Sequence, residues 1–347
     1  MKIVSPISSP EEVEMLAGNG ADEFYCGLVP PSWTARYGTN FWVNRRSPRR
    51  GNLPSYTILA KLVRLAETFH IPVALTVNAP HYSREQYPLV IELAERAADL
   101  GVKAIILGDI GLLLSLLEKK IALELHLSSV GSCLNSEALR FYRELGVRRV
   151  ILPRGLSLQE IGRLCRQRQG KEGPELEAFV LNDGCVFEEG LCQTSHNQGT
   201  FCQTEWLHRF FPTENESKLF RQEETRLQEH LRDYRRWSWY LGGCGPSLSP
   251  RGIPNGPCGL CAVADLMAFG VNALKIAGRQ APPLRKLASL QLLHATVEPA
   301  RRGNSREEIR KAAQAFRDTP ELCNANYMCY YRSSQEDSTH SLDEKLS

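Results

Sequence analysis

Short apolar runs alternate with longer stretches of helical periodicity along the chain. The apolar runs fall at 2–7 (KIVSPI), 22–28 (DEFYCGL), 72–78 (PVALTVN), 103–109 (KAIILGD), 123–129 (LELHLSS), 148–154 (RRVILPR), 176–183 (LEAFVLND) and 272–278 (NALKIAG). Nearly continuous hydrophobicity marks strands buried on both faces, as in a parallel sheet. Helical patterns lie between them, for example around 55–69 and 84–100, and Pro10 with two following acids suits the first turn of the earliest one. Eight strands separated by helices predict an α/β fold, a TIM-like (β/α)8 barrel. An open doubly wound sheet is the alternative, and the absence of a GxGxxG after the first strand counts against its dinucleotide-binding form.

The pattern divides the chain into a barrel over 1–280, a helical insertion at 205–255 before the last strand, and a helical extension over 281–332. A polar tail at 333–347 has the composition of a disordered segment. Within the insertion, KLFRQEETRLQEHLRDYRRW (218–237) sets Phe220, Leu227, Leu231 and Tyr234 on one face amid alternating charges, which reads as a solvated helix over the barrel mouth.

Composition narrows the chemistry. With 347 residues, 42% of them hydrophobic, the chain can bury a large core, so disordered and fibrous classes are excluded. A net charge of +3 is close to neutral for this size; it permits nucleic acid without favouring it. The N-terminus lacks a signal-peptide core and no apolar run approaches a membrane span, so a cytosolic protein is expected. Thiols stay reduced there, and eleven cysteines, an odd number, make a poor disulfide framework.

In a barrel, reactive residues gather at the C-terminal ends of the strands. Those ends carry Cys26, Asn78, Asp109, His126 with Ser128, Arg154, Asn182 with Asp183, and Lys275 with Arg279. Just beyond the seventh run, DGCVFEEGLCQTSHNQGTFCQT (183–204) holds Cys185, Cys192 and Cys202. Soft, anionic sulfur suits iron–sulfur centres or zinc, though neither gap here is a C-x2-C, and buried apolar thiols are the plainer alternative. A further ligand would come from PNGPCGLC, with Cys258 and Cys261, or from Cys244, while Cys323 and Cys329 could meet the same region from the C-terminus. No paired histidines accompany the thiols, which favours iron–sulfur over zinc. Neither HExxH nor GxSxG occurs, so hydrolysis has no visible catalytic basis.

Taken together, these residues resemble the collagenase-like peptidase family U32 over most of 1–280. GADEFYCG (20–27), HLSS (126–129), ELGVRRVILPRGLSLQEI (144–161), DGCVFEEGLC (183–192), NQGTFC (197–202) and LCAVADLMAFGVNALKIAGR (260–279) carry the likeness. The resemblance implies a TIM-like barrel and a [4Fe–4S] cluster on Cys185, Cys192, Cys202 and Cys261, with Cys258 and Cys244 in reserve. It also implies O2-independent hydroxylation of a small aromatic substrate of the ubiquinone-biosynthesis type, by subunits that work in pairs. RNA base hydroxylation, peptide hydrolysis and a non-catalytic partner subunit are the alternatives. Arg36, Asn78, His126, Arg154, Lys275 and Arg279 would line an anion-friendly pocket. The chain departs from the family pattern at Gly155 and Ala277, where acids are usual, at Val130 in place of a usual Gln, and by one extra residue before Cys202.

Overall fold

The computed structural model describes residues 1–46, 48, 51–168, 173–185, 188–192, 217–240, 248–249 and 251–331, with 217–222 described by backbone alone. Eight parallel strands close on themselves: β1 (Lys2–Pro6), β2 (Glu23–Gly27), β3 (Val73–Val77), β4 (Ala104–Leu107), β5 (Glu124–Leu127), β6 (Arg149–Ile151), β7 (Glu175–Leu181) and β8 (Ala273–Ile276). Each pairs with the next, and β8 pairs back onto β1 through Ile3 and Leu274. The eight apolar runs are therefore the eight strands, and the open-sheet alternative is excluded. The flanking polar residues lie beyond the paired segments.

Helices α1 (Val13–Ala17), α2 (Pro31–Tyr37), α3 (Tyr56–Thr68), α4 (Tyr87–Asp99), α5 (Ile110–Glu118), α6 (Ser136–Glu144), α7 (Leu158–Gln167), α8 (Ser217–Ser238) and α9 (Val263–Phe269) precede or punctuate the strands. After β8 come α10 (Pro283–Arg301), α11 (Arg306–Arg317) and α12 (Pro320–Asn324). Among the described residues no helix is long and apolar enough to cross a membrane.

Alternation along each strand builds two cores. On β2, Phe24 and Cys26 face the surrounding helices, where Leu59, Leu62 and Ala66 of α3 supply a helical stripe. Tyr25 faces the barrel lumen with Val4, Ile106, Ile151, Phe179, Ala273 and Ala277. Below that inner layer, toward the N-terminal ends, charge fills the lumen. Arg149 donates to Glu23 (2.9 Å), Glu175 (2.8 Å) and Glu177 (3.0 Å), and Lys275 Nζ donates to Glu177 at 2.7 Å. The barrel is closed at this end by a satisfied ionic plug.

Asp109 shows how a strand end positions the next helix. Its carboxylate caps α5 by accepting from Leu112 N, and also accepts from Tyr82 N and Tyr87 Oη, each at 2.8 Å. It is buried, so truncation strands three donors at once. Asp109→Ala should cost about 2–4 kcal/mol in urea unfolding; a loss below 1 kcal/mol would show that other acceptors take over.

Candidate active site at the barrel mouth

The loop leaving β2 folds back over the C-terminal end of the barrel. Leu28 pairs with Leu53, and Leu53 N donates to Gly27 O at 2.7 Å, so Asn44, Arg46 and Asn52 are delivered to the mouth. Asn44 Oδ1 accepts from Arg279 Nη2 at 3.0 Å and Asn52 Oδ1 from Nη1 at 3.5 Å. Burial lowers the Arg279 pKa to about 10, which leaves it charged at neutral pH. Position 27 must be glycine for this arrangement, because a Cβ there would collide with Arg279 Nη1 and Asn52 Oδ1.

At the end of β7, Asn182 and Asp183 adopt left-handed conformations (φ 63° and 45°), which Asn and Asp tolerate better than other side chains. The turn carries Asp183 into an ion pair with Arg46. On the opposite side Arg154 pairs with the buried Glu189, which also accepts from Ser129 Oγ. The Arg154 guanidinium lies 3.7 Å from the centroid of the Phe179 ring, and its Nε is buried without a hydrogen-bond partner. Tyr330, from the C-terminal segment, stacks on Phe179 (6.5 Å, 29° between planes) and donates its hydroxyl to Asn182 O. Beneath them Tyr25 Oη donates to Ile276 O at 2.9 Å; burial raises its pKa, and Arg279, Asp183, Arg46 and Arg154 all act on it electrostatically. Four charges from four different loops thus surround one aromatic floor.

The sequence-derived pocket residues divide. Arg154 and Arg279 are in the mouth, and Asn78 joins them at its edge, donating to Ser128 Oγ at 3.1 Å. Lys275 is instead part of the ionic plug, with its ammonium 3.8 Å from the Tyr25 ring. His126 sits at the same depth, 3.4 Å from Glu124, and burial holds its pKa below the ordinary histidine value. Arg36 is exposed on α2 over the Tyr37 ring. Five contributors lie outside the sequence-derived set. Arg46, Asn44 and Asn52 come from a loop whose path no local signal reveals, and Tyr330 comes from beyond the barrel. Glu189 was visible in DGCVFEEGLC but was passed over for its cysteines. With Asp183 and Glu188 it supplies carboxylates to the mouth where Gly155 and Ala277 do not; a Cβ on Gly155 would lie 4.0 Å from Glu188 Oε2.

Of the thiols implied as cluster ligands, Cys202 and the reserve Cys244 lie outside the described residues. Cys185 and Cys192 are half-buried on the segment after β7, while Cys261 follows β7's other neighbour, the 257–261 segment, and is acted on by Cys258, Cys329 and Cys323. Among the described residues no three ligating side chains converge on a metal-sized point.

Chemically, the mouth holds a stack of Arg154, Phe179 and Tyr330 with an unused donor at Arg154 Nε, and a cation at Arg279 held by neutral carboxamides. Such a site suits a planar ring carrying acceptor oxygens and a nearby anionic group. Three curated relatives match parts of this chain. The tRNA hydroxylation protein P of Haemophilus influenzae is 28% identical over 206 residues, 57% of this chain and 41% of that protein. The tRNA hydroxylation protein P1 of Bacillus subtilis is 23% identical over 290 residues, 80% and 58% respectively. The 23S rRNA 5-hydroxycytidine C2501 synthase of Escherichia coli is 26% identical over 202 residues, 57% and 27%. This chain spans less than two thirds of the length of each. The model of peptidase family U32 matches residues 8–340, and the chain belongs to that family.

Proposed function

We propose that this chain takes part in hydroxylating a base of RNA, with the base stacked in the barrel mouth. The observation that carries the reading is the Arg154 guanidinium over Phe179, buried with one donor unused, beside Tyr330 and within reach of the charge on Arg279. Single-stranded bases are recognised by stacking on aromatic and guanidinium planes and by hydrogen bonds to their edges, while the flanking phosphates need cations. The relatives named for tRNA and rRNA hydroxylation support the same substrate class. A net charge near neutral does not oppose it, because the whole-chain sum averages away a local cation whose contacts are neutral.

In this reading Arg154 Nε donates to an exocyclic oxygen of the base, and Phe179 and Tyr330 hold its plane. Arg279 binds the adjacent phosphate, and the loop carrying Asn44 and Asn52 keeps water from the guanidinium. Converting C–H to C–OH removes two electrons and adds one oxygen atom, both exchanged with a co-substrate outside the chain, and the described residues supply binding and orientation for the base.

Mass spectrometry of nucleosides from tRNA and 23S rRNA of the native host tests the reading. Deleting the gene should remove one hydroxylated nucleoside, and the intact chain should restore it while Arg154→Ala should not. An unchanged nucleoside profile with a loss of quinones would replace RNA by the small aromatic substrate of the ubiquinone type.

A further inference from the structure

Helix α8 ends in a run of exposed cations and rings. Between His230 and Tyr240 lie Arg232, Arg235 and Arg236 against one acid, Asp233, and that acid is turned inward to accept the Tyr327 hydroxyl of the C-terminal segment. Arg232 and Arg235 are exposed, and among the described residues no carboxylate pairs with either. Trp239 continues the last turn of the helix and is 48% exposed. Arg232, Arg235 and Trp239 stand at i, i+3 and i+7, which puts two cations and an indole on one face over about 10 Å of helix.

The indole is held by a ladder of planes. Trp239 meets Tyr240 nearly at right angles (4.8 Å, 80°), Tyr240 stacks on Tyr327 (6.0 Å, 25°), and the Arg236 guanidinium lies 5.2 Å from the centroid of the Tyr327 ring. Such contacts fix the rings against one another, so the half-exposed indole presents a preorganised plane. A cleft of about 330 Å³ opens beside the ladder, with Arg236 and Tyr240 on one side and Thr319, Pro320, Glu321 and Leu322 on the other. Asp318 at its rim is engaged by Arg251 at 3.0 Å, while among the described residues nothing pairs with the Glu321 carboxylate. Tyr327 is three residues from Tyr330, so their Cα atoms are at most about 11 Å apart. One short segment therefore joins this outer ladder to the Arg154–Phe179–Tyr330 stack in the mouth.

We propose, on the reading that the mouth takes an RNA base, that the C-terminal end of α8 and the cleft beside it hold the single-stranded RNA flanking that base. One flanking base stacks on Trp239, another turns its edge to Thr319 and Glu321 in the cleft, and phosphates lie on Arg232 and Arg235. Cations alone would suit any polyanion. The rings select nucleic acid, because every base offers a π-face and stacking on a fixed aromatic plane needs no particular sequence. Glu321 adds an acceptor for an exocyclic amine, a group that an acidic peptide lacks. The whole-chain charge gives no sign of this surface, since Glu223, Glu224 and Glu229 earlier on the same helix balance its arginines.

The full chain is titrated into a fluorescein-labelled single-stranded oligoribonucleotide of about 12 nucleotides at several salt concentrations, and binding is read by anisotropy. Trp239→Ala should weaken binding by about 5- to 100-fold, and Trp239→Phe, which keeps a stacking plane, by much less. Arg232→Gln/Arg235→Gln should lower the salt slope by about 1.4, the share of two single-strand phosphate contacts. Lys61→Gln, on the exposed face of α3, should leave both quantities unchanged, and a polyglutamate peptide should not compete. A wild type without salt-dependent RNA binding, α8 variants that bind like wild type, or polyglutamate competing as well as unlabelled RNA would overturn the proposal. Nucleoside mass spectrometry keeps the two readings apart. A hydroxylated RNA nucleoside lost in Arg154→Ala, together with unaltered binding by the α8 variants, removes this subsite alone; a nucleoside profile unchanged by gene deletion removes both.

Discussion

Arg149→Ala should destabilise the barrel by about 3–5 kcal/mol in urea unfolding, more than any other single exchange considered above. Arg149 is 3% exposed and holds Glu23, Glu175 and Glu177 together at the N-terminal end of the lumen. Removing it leaves three carboxylates facing one another, with Lys2 and Lys275 as the lysines paired to them among the described residues. The pH dependence carries the sign. Burial alone would raise the Glu23 pKa, but hydrogen bonds and charge from Arg149 win and bring it down to about 2. A carboxylate depressed in the folded state contributes stability that is complete above its unfolded value and is lost as pH falls from about 4.5 toward 2. That contribution is on the order of 3 kcal/mol. In the Arg149→Ala protein the carboxylates lose their cation, so their pKa values rise and mild acid should relieve repulsion rather than weaken the fold. Wild type should thus lose stability as pH falls from about 4.5 toward 2, while the variant should lose less or gain. Parallel profiles for the two proteins would refute the plug.

The second large effect is expected from Gly27→Ala, which touches no substrate. The added methyl needs the space of Arg279 Nη1 and Asn52 Oδ1, so the guanidinium must leave its place in the mouth. If Arg279 binds the phosphate next to the target base, formation of the hydroxylated nucleoside should fall by about 100-fold, as for a misplacement of roughly 1 Å. Arg279→Ala should fall as far and should also reduce the salt slope of RNA binding by about one phosphate contact. Arg36→Ala, on the exposed face of α2, should leave both quantities unchanged. Full activity of Gly27→Ala with an unshifted unfolding midpoint would remove Arg279 from the site.

The barrel was legible in the sequence because its strands are buried on both faces, which makes each one a continuous apolar run such as AIIL in β4 or AFVL in β7. Helix α2 was not, since PSWTARY buries only Trp33 and so shows no periodic stripe. The same logic explains the site. Arg154, Arg279 and Asn78 follow the last paired residue of their strands, and the mouth is the one place a chain leaving a barrel strand can reach. Lys275 and Arg279 are close in sequence, yet a strand rises about 3.3 Å per residue, so four positions separate the mouth from the plug. His126 falls short of Ser128 by one inward position for the same reason. Which loop returns over the mouth is decided by long-range pairing, as between Leu28 and Leu53, and no local pattern encodes it.

The pairing of β8 with both β7 and β1 also has a consequence for biosynthesis. Strands β1 to β7 are complete once residue 181 has left the ribosome, but their two outer edges stay unpaired until residues 273–276 follow. Throughout the translation of 182–272 the nascent chain carries two exposed parallel edges, the kind of surface that recruits other unfolded chains. A product truncated before Ala273 keeps both edges permanently, so premature termination in that stretch yields an aggregating species rather than a shorter barrel.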